Sequence, residues 1–131
     1  MTAVDTNVVI RLLTADDARQ SSAARKLFAS ESIWIAKTVV LEAAWVLRSL
    51  YKFSDHDIYE ALSKLIALDN VETEDGGRVV EAIGLGKQGI DFADALHLTS
   101  RPDAAKFVSF DKQFVKRAQR AGVPSVTSIS I

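Results

Sequence analysis

Thr2-Ala3-Val4-Asp5-Thr6-Asn7-Val8-Val9-Ile10-Arg11-Leu12-Leu13 reads as a short strand that turns into a helix at Asp5-Thr6-Asn7. Thr2 to Asp5 is a β-type run, and the apolar residues from Asn7 to Leu13 are spaced tightly enough for a helix. The same punctuation returns near the other end of the chain. There Lys106 to Phe110 (KFVSF) reads as a strand, and Asp111 opens a basic helix to Ala121. Each junction therefore places an aspartate at the carboxyl end of a strand.

Between these junctions the alternation continues. Asp16-Asp17 opens an amphipathic helix through Ala24 and Phe28, with acidic residues in the first turn that the helix dipole favours. Ser32 to Ala36 is a compact strand, followed by a helix from about Thr38 to Tyr51. Ser54 caps a further helix that carries Ile58, Leu62, Leu65 and Ile66 at helical spacing. Val71 to Glu74 is a short strand. Gly76-Gly77 is expected to break the chain before a helix over Arg78 to Leu85. Gly84, Gly86 and Gly89 are expected to form a loop ahead of a helix starting near Asp91, and Val123 to Ile131 a final extended segment. Strands that alternate with helices predict crossover connections and a largely parallel sheet. Ligand sites in such sheets form outside the carboxyl ends of the strands.

Composition narrows the class. The chain has 131 residues, expected as one domain over 1–131, with a net charge of −1. It has no cysteine, which excludes disulfide frameworks, thiolate zinc sites and cysteine nucleophiles. No apolar run reaches the roughly eighteen residues a membrane span needs, and MTAVDTNVVI lacks the basic start of a signal peptide. The expectation is a soluble, cytoplasmic protein. GLGKQG lacks the G-K-[ST] ending of a phosphate-binding loop, so nucleoside triphosphate binding has no support.

Four acids stand out. Asp5 and Asp111 sit at strand ends, where capping of the following helix is an equally good explanation. Asp91 and Asp94 form D-x-x-D at a helix start, with Asp91 best read as the cap. Asp94, among Ala93, Ala95 and Leu96, suits a plain solvated position less well. Glu42 lies inside VVLEAAWVL with no helix end to cap. Its i−3 and i+4 neighbours are Val39 and Val46, so its carboxylate is expected on an apolar face. A buried carboxylate needs a partner. That partner is either a bound cation or a lysine or arginine from elsewhere in the chain. If the four acids gather at one point, a hard divalent cation such as magnesium or manganese would neutralise them, activate water and stabilise charge on a phosphoryl oxygen.

The segments around these acids resemble the PIN domain, and within it the VapC-type toxins of toxin–antitoxin pairs. The resemblance rests on VDTNVVIRLL, TVVLEAAWVL, DFADALHLTS and FVSFDKQF, in that order and across nearly the whole chain. It implies a three-layer α/β/α sandwich with a central, mostly parallel sheet. It makes Asp5, Glu42 and Asp94 the core metal-site acids, with Asp111 as the fourth, acting through water or at a second metal position. Ser109 matches a small hydroxyl position that supports the site, and Thr6 and Asn7 follow the first acid as the pattern expects. Asp91 is an accessory acid rather than a ligand. The implied reaction is hydrolysis of an RNA phosphodiester, in tRNA or rRNA, by a water activated on magnesium or manganese. The implied partners are a cognate antitoxin and a second copy of the chain in a homodimer.

Other features fit this picture with plainer readings beside them. Arg101 to Arg120 carries six basic residues against two acidic ones. Lys112, Lys116, Arg117 and Arg120 suit an RNA backbone, and equally a solvated helix face. Trp45, Leu47, Leu50, Tyr51 and Phe53 are expected mainly in the core, with a dimer or antitoxin groove as the other reading. His56 is expected at the surface. His97, one turn past Asp94, is read as a structural histidine, with a place near the site as the other reading. The rival classes are a phospho-accepting receiver domain and a non-catalytic binding module on the same fold. A receiver needs an adjacent acidic pair after its first strand, where Asp5 stands alone. A haloacid-type phosphatase needs D-x-D, which Asp5-Thr6-Asn7 lacks.

Overall fold

A computed structural model describes residues Met1–Ile131 and contains seven helices and five strands. The chain forms two compact units, Met1–Gly76 and Gly77–Ile131.

In the first unit, β1 (Thr2–Ala3), β2 (Ile33–Ile35) and β3 (Val71–Thr73) pair in parallel in the order β1-β2-β3. A pair of helices makes each crossover: α1 (Thr6–Leu13) and α2 (Ala18–Ser30), then α3 (Lys37–Ser49) and α4 (Asp55–Ile66). Parallel strands need such long connections, because a tight turn reverses direction. The core is apolar. Ile33 and Ile35 on β2 are fully buried, as are Val9, Leu47, Ile58 and Leu62 on the helices. Asp17, not Asp16, caps α2 by accepting the Gln20 N–H at 3.0 Å. Ser54 caps α4 as its sequence position predicts.

In the second unit, α5 (Gly76–Lys87) and α6 (Phe92–Thr99) precede β4 (Phe107–Ser109), α7 (Lys112–Arg120) and β5 (Val126–Ser128). β4 and β5 pair in parallel with α7 as their crossover. Phe107 meets Phe114 edge-on at 5.6 Å between ring centres, fixing β4 against α7.

The α/β class and the parallel pairing agree with the sequence expectation, although the hydrogen-bonded ladders are two sheets rather than one. The glycines depart from it. Gly76, Gly77, Gly84 and Gly86 all lie inside α5, where a break and a loop were expected. Each interior glycine costs a helix up to about 1 kcal/mol relative to alanine. Burial of Val79, Ala82, Ile83 and Leu85 along one side of α5 outweighs that cost. Gly89, at φ +96°, is the glycine whose left-handed backbone does end the run before α6.

Candidate active site

In the first unit Asp5 follows β1 and caps α1. Its Oδ1 accepts the Val8 N–H at 3.1 Å, and the residue is exposed. One carboxylate oxygen is thus engaged with the helix, and the acid is held at the carboxyl edge of its strand. Thr6 and Asn7 are the first helical residues, Thr6 half-buried and Asn7 exposed.

Glu42 differs from expectation. α3 buries Val40, Ala43, Ala44 and Leu47, whereas Glu42 is exposed, in company with Thr38 and Trp45 one turn to either side. It therefore needs no buried partner. The apolar run VVLEAAWVL supplies a hydrophobic residue in almost every direction around the helix, so periodicity alone did not single out the face that packs. The same ambiguity affected the aromatic stretch. Leu47 is buried, but Trp45 is 61% exposed and Leu50 68%. Tyr51 is half-buried with its hydroxyl donating to Asp16 at 2.6 Å.

The first residue before α3, Ala36, offers no capping side chain. Glu74, just past β3, performs that role: its Oε1 accepts the Lys37 N–H at 2.9 Å. Beside it, Asp75 Oδ2 pairs with Lys37 Nζ at 2.9 Å. Both acids stand past the carboxyl end of a strand, the rule that singled out Asp5 and Asp111, yet neither was singled out from the sequence.

In the second unit Asp91 caps α6 by accepting the Asp94 N–H at 3.3 Å. Asp111 caps α7 by accepting the Phe114 N–H at 3.0 Å. Ser109 Oγ accepts the Asp111 N–H at 3.0 Å, so the serine orients the backbone that carries this acid. Asp94 is half-buried in the first turn of α6. Burial raises its carboxyl pKa above the ordinary value, the charges of Asp91 and Asp111 raise it further, and His97 opposes them. Asp91, Asp94, Asp111 and His97 therefore share one electrostatic neighbourhood. His97 is exposed rather than packed in the core, and so is His56.

No three histidine, aspartate or glutamate side chains are drawn together as a ready metal cage. Bare carboxylates repel, and here each strand-end acid turns one oxygen to its own helix. The donor chemistry nevertheless suits a hard cation. Asp94 is disfavoured as an anion by its own neighbours, and a divalent ion among these oxygens would reverse that penalty. Close by in sequence, Lys112, Lys116, Arg117 and Arg120 share one exposed face of α7, while Phe114, Val115 and Ala118 are buried.

A family model described as the PIN domain matches residues 2–120. The chain belongs to the PIN-domain family. The match runs through both compact units and includes every acid described above. PIN domains are in general nucleases, hydrolases that act on nucleic acid and typically use divalent metals. The chain therefore carries a nuclease-type fold with a nucleic-acid substrate. A search of curated proteins finds no match to this chain. No helix is long and apolar enough to cross a membrane.

Proposed function

We propose that this PIN domain is an endoribonuclease that uses magnesium or manganese, with Asp5, Glu42, Asp94 and Asp111 as the acids that hold the metal. The observation that carries the reading is the state of Asp94, a half-buried carboxylate whose anion is disfavoured by burial and by Asp91 and Asp111, a penalty that a bound cation would relieve. Bound metal would supply an activated water and stabilise charge on the phosphoryl oxygen. The chain's own residues set the stage for it. Asp5 and Asp111 are fixed by capping their helices, Ser109 orients Asp111 through its backbone, and Asp91 holds the first turn that carries Asp94. Thr6 and Asn7 sit in the turn after Asp5 as supporting polar residues. Lys112, Lys116, Arg117 and Arg120 bind the RNA backbone.

The resemblance to VapC-type sequences supports the finer reading: a toxin that cuts tRNA or rRNA, works as a homodimer in the cytoplasm and is silenced by a cognate antitoxin. The exposed Trp45 and Leu50 on and just after α3 offer apolar surface for such a protein partner. The test is incubation of the full chain with purified tRNA and rRNA in manganese or magnesium, beside chelator and Asp94→Asn controls. Discrete cuts that vanish in both controls are expected. Metal binding with no cleavage of either pool would instead favour a non-catalytic binding module.

A further inference from the structure

In the first unit the parallel ladders continue past the ends of their strands. Ala3 pairs with Trp34 and Ile35 with Thr73. The Val4 N–H then donates to the Trp34 carbonyl, and the Glu74 N–H to the Ile35 carbonyl. Continued by one or two residues, this register sets Asp5 and Glu74 to either side of Ala36, and Asp75 beside Lys37. Neighbouring strands lie about 4.8 Å apart. Lys37 therefore leaves the sheet at the edge that presents Asp5. Its helix, α3, carries Glu42 five residues further on, about 7.5 Å along the axis.

Lysine is an unexpected residue to open a helix. A cation at the N-terminus opposes the helix dipole, and the first turn of α3 holds no acid to offset it. The compensation comes from past β3. Glu74 accepts the Lys37 backbone N–H, and Asp75 Oδ2 meets Lys37 Nζ at 2.9 Å. The Lys37 side chain is 20% exposed and that of Asp75 53%. An ion pair this open contributes little to stability, so stability does not account for the lysine. It also holds Nζ weakly enough for another anion to take Asp75's place.

The charges along the edge indicate that anion. A phosphate approaching Asp5 meets a row of carboxylates, Asp5, Glu74 and Asp75, that repel it. Lys37 is the cation set among them. Its flexible stem ends in a compact charge, a form in which lysine commonly binds phosphate oxygen.

We propose that Lys37 binds a non-bridging oxygen of the substrate phosphate beside Asp5, and that Asp75 restrains Lys37 until the substrate arrives. This inference rests on the nuclease reading and adds a phosphate-binding residue and its restraint to that site. Lys37 exchanges one oxygen anion for another and keeps its protons, so the bonds made and broken in hydrolysis are unaltered.

The test compares the full chain with Lys37→Gln, Lys37→Arg and Asp75→Asn, cutting tRNA or rRNA in manganese. It reads kcat and KM, with urea denaturation alongside. Asp75 has left-handed backbone at φ +47°, which asparagine tolerates, so Asp75→Asn removes the charge and keeps the chain in place. Lys37→Gln is expected to lower kcat/KM about tenfold or more, and Lys37→Arg to recover most of that loss. Asp75→Asn is expected to raise kcat/KM by up to about fivefold, chiefly through a lower KM. The two partners of one ion pair thus move activity in opposite directions. A merely structural pair behaves otherwise: both charge-removing variants shift the urea midpoint alike, and cleavage stays unchanged or falls alike in both. Either of those results overturns the proposal. A parent that cuts RNA while Lys37→Gln matches it removes only the role of Lys37. A parent that cuts no RNA overturns the nuclease reading and this inference together.

Discussion

The carboxylate of Glu74 accepts the backbone N–H of Lys37 at 2.9 Å, so α3 is capped by a residue from beyond β3, thirty-seven positions away in the chain. The connection matters because α3 carries Glu42 and is preceded by Ala36, which has no capping group of its own. Removing the cap loosens the turn that leads to a proposed ligand.

Glu74→Ala is therefore expected to cost about 1 kcal/mol of stability, the usual worth of a helix cap. It should also speed amide exchange in the first turn of α3. Glu74→Gln keeps an acceptor oxygen and should recover most of the loss. Chemical denaturation together with exchange at Lys37 and Thr38 checks this. Unchanged exchange in Glu74→Ala would remove the capping role.

Asp94→Asn should lower cleavage by more than about a hundredfold, since it removes a proposed ligand charge and loss of even supporting groups weakens metal sites by tenfold or more. The same substitution is expected to stabilise the metal-free protein at neutral pH. The Asp94 carboxyl pKa is raised by burial and by Asp91 and Asp111, so ionising it opposes folding. That penalty is full above the raised pKa and disappears as pH falls through it. Metal-free melting temperatures should therefore differ at neutral pH and converge on acidification. Added manganese should raise the melting point of the parent more than that of Asp94→Asn. A variant no more stable than the parent without metal would contradict the electrostatic account.

Reversing Lys116 and Arg117 to glutamate should weaken RNA binding at low salt and flatten its salt dependence. Two lost phosphate contacts lower the log–log slope by about 1.4 for a single strand. Binding isotherms across a salt series give this slope directly. An unchanged slope would return α7 to an ordinary solvated face.

Tyr51→Phe addresses the polar knot that joins the end of α1 to the segment after α3. Asp16 is lowered to about 2, first by the Tyr51 hydroxyl, with Thr14 and Arg11 contributing and burial opposing. A lowered carboxyl stabilises the fold above its unfolded value and loses that contribution as pH falls toward 2. In Tyr51→Phe the Asp16 titration should move up toward the ordinary carboxylate range. The onset of acid unfolding should move to higher pH with it. Carboxyl-carbon NMR titration reads the first effect, and its absence would show that the tyrosine does not hold Asp16 down.

What could be read from the sequence was local. Asp5, Ser54, Asp91 and Asp111 were legible as helix starts because a short polar side chain reaches only its own next turn, and the structure shows each bond. The alternation of elements gave the α/β class and the parallel pairing, since a strand followed by a helix leaves little other choice.

Tertiary structure decided the rest, because those features depend on which surface another element covers. Glu42 and Trp45 are exposed although their surroundings in sequence are apolar on every side. The four glycines of α5 are helical because the buried side of that helix outweighs their backbone freedom. The Glu74 cap on Lys37 has no local signal at all. Acid identity and order were thus written in the chain by itself. The environment that raises the Asp94 carboxyl exists only once distant segments have packed and excluded water from one face of each element.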